Sequence, residues 1–398
     1  MKKICLVVVG FYIGILAAFS QKKDSSVYKK RKLTMEEINI VSAYYSQDGN
    51  NSAVTGGIGT EELKDYSLNA ELKLFKYDQT NRKKNWNINL GVDFYTSAST
   101  DNINPENVSS ASSNDFRFYP SIEHIVEDEA KKKKLNYSLS FSIETDYLSF
   151  GIGTGITKST KDNNQTFTAK AQCYIDQVKI ILPYEMRTPE TGGLYGYPNE
   201  HDYPWKARTT FGIFLSYSKV INKSLQLALV ADPAYQHGFL GMPFHRVYFT
   251  DSSLATEHLP SSRFKIPLGI RANYFAGNRI ILRSFYRFYH DGWGLNAHTA
   301  DLEAVLKLNP FFSISSFYRF YTQQGIQYFA PYKTHLPGEQ FYSSNYDLSA
   351  FDSHFFGAGI RFTPAVLKGI TQAELRYGHY LRSNSLHSDV ISLFLKIK

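Results

Sequence analysis

The chain has 398 residues, with 44 Lys and Arg against 36 Asp and Glu, for a formal net charge of +8. Tyr and Phe occur 29 times each and Cys only twice, which excludes a disulfide-built domain. No stretch beyond the N-terminus approaches the roughly 18 continuous apolar residues of a spanning helix, which excludes a helical membrane bundle.

The chain opens MKKICLVVVGFYIGILAAFSQKK. Two lysines, an apolar run and then small residues are the layout of a secretory signal peptide over residues 1–20, cleaved after Ser20. The run from Ile4 to Phe19 is short for a membrane anchor, which needs about 20 residues. Cys5 precedes the apolar stretch, so the lipoprotein arrangement does not apply. Removal of the signal leaves one cysteine, Cys173. Residues 21–35 form a basic tail containing KKDSSVYKKRK, expected in the periplasm beside anionic lipid or an acidic partner, or simply solvated. An exported chain does not meet nucleic acid, despite its basic balance.

From residue 36 onward the pattern alternates with period two, the signature of strands whose successive side chains point to opposite faces. Leu68, Leu72 and Leu74 oppose Asn69, Glu71 and Lys73. Trp86, Ile88, Leu90, Val92 and Phe94 oppose Asn87, Asn89 and Asp93. Tyr137, Leu139, Phe141 and Ile143 alternate with serines and Glu144. Further apolar rows are Phe211, Ile213, Leu215 and Tyr217, then Leu225, Leu227 and Leu229, then Phe264, Ile266, Leu268 and Ile270. From Arg279 the odd positions carry Arg279, Arg283 and Arg287, while the even ones are nearly all apolar. A helix would scatter those arginines around its circumference. Leu375 and Tyr377 oppose Glu374 and Arg376, and Ile391, Leu393, Leu395 and Ile397 form the last row.

About sixteen such segments of roughly ten residues fit an outer-membrane, up-and-down antiparallel β-barrel over residues 36–398. A soluble β-sandwich also alternates, and strand number and length favour the barrel over it. The connections give a second test. Seven expected periplasmic turns are short, near Asp78–Lys83, Glu127–Lys134, Lys158–Asn164, Ile221–Lys223, Ala276–Asn278, Leu308–Pro310 and Pro364–Gly369. The outer connections Asp48–Leu63, Ser97–Asn114, Arg187–Lys206, Asp232–Ser262 and Thr322–Ser353 are long. Three others are short, among them HDGWG at His290–Gly294, read as a hairpin from its Asp-Gly.

The hexapeptide SFYRFY occurs at Ser284–Tyr289 and again at Ser316–Tyr321, 32 residues apart. That interval is one strand up, one down and two turns, so both copies run the same way. Tyr286, Phe288, Tyr318 and Phe320 are expected to face lipid near the outer interface. Arg287 and Arg319 then point inward on either side of an acid-bearing strand.

The segments AYYSQDGNNSAVTGGIGTEEL (43–63), DFYTSAST (93–100), GFLGMPFHRVY (238–248), SFYRFYHDGWGLNAHTADLE (284–303) and SFYRFYTQQGIQYFAPY (316–332) carry a resemblance over nearly the whole mature chain. The sequence resembles an uncharacterised family of Bacteroidota outer-membrane β-barrels of unknown function. The resemblance implies the fold and an outer-membrane location, and brings no substrate or catalytic residues. It also hints at a periplasmic or lipoprotein partner, because relatives are encoded beside a small lipoprotein, a thioredoxin-like protein and a flavin transferase.

With HDGWG as the turn, Arg283 is expected near Asp301 and Arg279 near Glu303, and Arg319 one diagonal from Asp301. Arg271, Arg361, Glu374 and Arg376 lie farther round the same inner face. Such charges pair into a ladder of alternating sign. Either the ladder only neutralises charge inside a blocked barrel, or surplus arginines line an aqueous path and favour anions.

Three other features draw a chemical reading. In SQDGNNSAVTGGIGTEELKD, Asp48, Asn50 and Ser52 have calcium-loop spacing, and Glu61, Glu62 and Asp65 add oxygen donors. Ala53 stands where such a loop needs glycine, and Gly59 where it needs glutamate, so an ordered turn network is expected rather than a metal site. Gly151, Gly153 and Gly155 share a face and are expected to admit close packing. The histidines concentrate after residue 200 without metal-binding spacing, and EHD at Glu200–Asp202 is the best loop candidate.

No nucleophile elbow, paired metal-ligand histidines or phosphate loop is present. A barrel hydrolase built from distant strands would leave no such motif. No cofactor is expected. The sequence supports passage or binding of a small polar solute, anions included, through a charged lumen in outer-membrane lipid. The alternative is a non-conducting scaffold of an envelope complex.

Overall fold

Residues whose side chains alternate apolar and polar need a surface with oil on one side and water on the other. A computed structural model, describing residues 32–96, 114–186, 203–364 and 369–398, shows how the chain meets that need. The expected signal peptide and nearly all of the basic tail lie outside the described residues. The strands are β1 (Thr34–Asp48), β2 (Leu63–Tyr77), β3 (Lys83–Thr96), β4 (Asn114–Asp128), β5 (Lys133–Ile143), β6 (Tyr147–Ser159), β7 (Gln165–Lys179) and β8 (Trp205–Val220). They continue as β9 (Leu225–Ala231), β10 (Ala234–Gly238), β13 (Ser262–Ala276), β14 (Ile280–Asp291), β15 (Asn296–Asn309), β16 (Phe312–Gln323), β17 (Phe351–Phe362), β18 (Ile370–Arg382) and β19 (His387–Ile397). A short hairpin, β11 (Arg246–Tyr248) with β12 (Leu254–Thr256), stands apart from the main sheet.

Consecutive spans of the main sheet pair antiparallel, and β1 pairs with both β2 and β19. The closing seam runs from Ile38 opposite Ile397 to Asp48 opposite His387. β9 and β10 are two halves of one span, so the closed sheet has sixteen spans, as the alternation predicts. The expected Asp232–Ser262 loop therefore starts later, after Gly238. Pro233 has no N–H to donate, but its carbonyl still accepts from the Ile213 amide at 2.9 Å, and the strand resumes. β1 likewise starts at Thr34, ahead of the expected boundary at residue 36.

The outer wall is apolar. Phe141, Ile152 and Leu229 are 48%, 53% and 59% exposed, and the other spans carry similar rows. An apolar surface this extensive is untenable in water and fits hydrocarbon. The large buried hydrophobics lie elsewhere. Trp293, Leu295, Leu259 and Ile326 form a core in the connections at one mouth, packed with Leu240, Tyr328 and Phe329. Val54 and Phe244 form a second, smaller one. The molecule is oil-faced outside, polar inside, and conventionally cored only in its cap.

Glycines seat the few large rings that point inward. An added Cβ at Gly151 would collide with Ser140 Oγ and press on the Tyr174 ring, and at Gly91 it would collide with the Tyr119 ring. Gly153 and Gly155 face Ser138 and Asn136 just as tightly, so this glycine row is a close-packed seam between β5 and β7. The least forgiving site is Gly357, where a Cβ would meet the Tyr377 carbonyl oxygen, an atom of the neighbouring backbone that cannot rotate away. Gly357→Val is therefore expected to abolish the heat-modifiable folded band on an electrophoretic gel. Gly212→Ala, with its nearest neighbour 4.0 Å from the new Cβ, should leave that band unchanged.

Candidate functional site

The inner face of β14 to β18 carries a chain of charges. Arg361 meets Glu374 at 2.7 Å, Glu374 meets Arg376 at 3.2 Å, Arg376 meets Glu303 at 2.9 Å, and Glu303 meets Arg283 at 2.9 Å. Arg376 reaches Glu303 from three strands away by lying 4.8 Å over the Phe317 ring, which the glycines at 357 and 378 leave room for. Asp301 pairs separately with Arg319 at 2.9 Å. Arg271 lies over the Phe285 ring at 5.3 Å.

The pairing differs from the sequence expectation by one step along each strand. Arg283 stands opposite Glu303 rather than near Asp301, and Arg319 stands directly opposite Asp301 rather than on a diagonal. Arg279 is not beside Glu303 but at the opposite end of the hairpin, where its carbonyl accepts from the Lys307 amide. The cause is turn chemistry. Asp291–Gly294 closes with the Gly294 amide on the Asp291 carbonyl and Gly294 at φ 88°, a three-residue loop rather than a two-residue Asp-Gly turn. On the other side, a bulge between Lys307 and Asn309 shifts the register again.

Above the ladder lies a cavity of about 800 Å³. Its barrel wall includes Arg287 and Arg319, the two arginines of the repeated hexapeptide, with Phe285, Tyr321, Phe355 and Tyr380 between and around them. Its roof is made by the connections, through Ser52, Val54, His245, Asn345 and Asp347. Three guanidiniums (Arg287, Arg319 and Arg382) line it against two carboxylates, Glu61 and Asp347. Arg382 is held by Asp347 at 2.6 Å and Arg319 by Asp301, whereas Arg287 has no carboxylate within ion-pair reach among the described residues. A second pocket of about 220 Å³ continues below it, sharing Arg319, Phe355 and Val390 and reaching Glu303 and Arg376.

The roof is a locked assembly. Arg246 is 4% exposed and joins three connections, donating to both Glu185 oxygens and, at 2.6 Å, to the Val54 carbonyl. Glu257 accepts from the Met242 amide at 2.9 Å and from the Ser343 hydroxyl, with His245 at 3.6 Å. His335 spans Glu339 at 2.6 Å and the Ser343 carbonyl at 3.0 Å. Each apolar core residue of the cap contributes about 1.5–3 kcal/mol, against about 0.2–1 kcal/mol for an exposed ion pair such as Arg319–Asp301. The cap is thus held by its core and buried network, and the ladder mainly shapes the potential in the lumen.

The other expected donors do not converge. Asp48 lies 4.0 Å from His387, Glu62 pairs outward with Lys64 at 2.8 Å, and Asn50 is exposed. Ser52 and Glu61 are buried in the cap, with Glu61 tucked against Gly49, and Asp65 belongs to β2. Glu200–Asp202 lies outside the described residues. Among the described residues, the carboxylates that do group within ligand distance are Asp115, Glu144 and Asp146 at the rim of β4 to β6, a cluster with no sequence spacing to announce it.

The cap carries a pH dependence. Burial opposes ionisation of Glu257, but His245, the Ser343 hydroxyl and the Met242 amide outweigh it and hold the carboxyl below its ordinary value. Burial likewise opposes ionisation of Glu339, and the Leu336 amide and His335 overcome it. Folded values below unfolded ones give stability that is fully present above the ordinary carboxylate value, about 4.3, and is lost as pH falls from there through the lower folded values. Acidification from neutral pH to about 3 should therefore lower the protection of amides across residues 324–350, measured against the intrinsic exchange rate at each pH. Unchanged protection there would contradict this assignment.

Comparison with known proteins places the architecture in context. OccK5 (OpdH) of Pseudomonas aeruginosa is similar over 90% of this chain and 96% of its own, with 8% identity and a TM-score of 0.42. A BenF-like porin from Pseudomonas fluorescens Pf-5 matches 91% of this chain and 98% of its own, with 7% identity and a TM-score of 0.43. The ferric enterobactin receptor PfeA of Pseudomonas aeruginosa matches 87% of this chain and 53% of its own, with 13% identity and a TM-score of 0.45. No curated protein matches the sequence. A family described as protein of unknown function (DUF3570) matches residues 114–389, well over half of the chain, and the protein belongs to that family.

Proposed function

We propose that this protein is an outer-membrane barrel that takes up a small organic anion in the cavity between its cap and its charge ladder. The observation that carries the reading is Arg287, which lines the cavity without an ion-paired carboxylate among the described residues, Asp232 acting on it only from beyond ion-pair distance. A guanidinium in this setting is a fork of donors for a carboxylate or phosphate oxygen. Phe285, Tyr321, Phe355 and Tyr380 offer apolar and π surface to the body of such a solute. Arg319 and, deeper, Arg376 and Arg361 are the next positive stations below it.

The locked cap favours a second reading, a closed scaffold that binds other envelope proteins. Arg246 separates the two, because it joins the cap's connections and is distant from Arg287 in sequence and role. In planar bilayers the wild-type barrel should conduct weakly and Arg246→Gln should raise its conductance severalfold. In that opened background Arg287→Glu should shift selectivity away from anions, whereas Arg279→Glu, in the turn, should shift it less. An opened barrel that passes no current at any voltage would favour the scaffold.

A further inference from the structure

The outward-facing positions of β10 and β13 to β19 carry no Lys or Arg at all. Their basic groups are histidines: His237, His290, His298, His354, His379 and His387. All six lie within four residues of the strand ends that meet the long connections or their short partners at the same mouth. Five of them are exposed, and His379 is half-buried. They account for six of the 11 histidines in the chain, gathered at one height on one side of the barrel.

Two of them sit in identical settings made by the repeated hexapeptide. His298 is opposite Phe288 in register, and the Tyr286 hydroxyl is 2.8 Å from its Nδ1. His354 is opposite Phe320, and the Tyr318 hydroxyl is 2.8 Å from its Nδ1. The ring separations repeat as well, at 5.3 and 5.4 Å to phenylalanine and 6.1 and 6.0 Å to tyrosine. With the tyrosine hydroxyl donating to Nδ1, the ring proton resides on Nε2, whose N–H is left to donate elsewhere. The two triads are two strands apart, about 10 Å at the usual strand spacing.

We infer that these Tyr–Phe–His triads bind the phosphate groups of anionic lipid headgroups at the outer interface. A girdle that served only to anchor the barrel would need aromatic rings alone. Here each copy adds a ring nitrogen held in one orientation. Histidine is also the sole basic residue type available to meet lipid phosphate on this wall. The triads lie on the lipid-facing side, so this inference stands apart from the solute cavity.

The test uses the full chain reconstituted in phosphatidylcholine vesicles with and without phosphatidylglycerol. Thermal unfolding and native mass spectrometry of retained lipid would be compared with those of His298→Phe/His354→Phe, which keeps the stacked rings. The wild type should retain phosphatidylglycerol and unfold at a higher temperature in its presence. The double variant should lose that preference while matching the wild type in phosphatidylcholine alone. Tyr286→Phe/Tyr318→Phe, which frees Nδ1 without removing a ring, should weaken the preference and serves if the histidine variant does not fold. A wild type without preference, or foldable variants that keep it in full, would overturn the inference.

Discussion

In hydrocarbon, a backbone N–H or C=O without a partner costs several kcal/mol, because no water is present to satisfy it. Everything else in this molecule follows from that constraint. β1 and β19 must find each other, and the seam from Ile38 opposite Ile397 to Asp48 opposite His387 leaves no open edge. Closure in turn fixes which residues face inward, and so forces charges such as Glu303 and Arg376 to settle with one another inside. The glycine seats at 91, 151 and 357 answer the same demand, since a closed sheet cannot bend away from an ill-placed ring.

Closure also explains why the apolar core is in the cap. A barrel with an oily exterior has no interior left for a hydrophobic cluster, so Trp293, Leu295, Leu259 and Ile326 collect where the connections meet water. The cap can then be built like a small soluble domain, with the Glu257 network at its centre and Arg246 as its tie. It leaves beneath it a cavity whose floor is the charge ladder. The cavity, rather than the ladder, is where the two hexapeptide arginines converge.

The spans were legible because alternation is local, and each needs only the next few residues to declare its faces. The same alternation turns both hexapeptide arginines inward. Register was less legible. HDGWG looks like a two-residue turn, and only the αL backbone at Gly294 reveals the extra residue that moves Arg283 onto Glu303. The cap was not legible at all. Arg246 bonds a carbonyl 192 residues away, and no periodicity links Glu257 to Ser343. The spaced oxygens of the loop at 48–65 do not gather into one site, because local spacing does not dictate that Glu61 turns inward while Glu62 turns to Lys64.

The central claim is that Arg287 and Arg319 create one anion-binding place inside the barrel. Crystals soaked with 4-iodobenzoate would locate it by the anomalous signal of iodine. The account predicts a peak in the cavity beside the aromatic wall, with the carboxylate on Arg287, and its loss in Arg287→Glu. Iodine confined to the lipid-facing surface, with the cavity empty in the wild type, would contradict it.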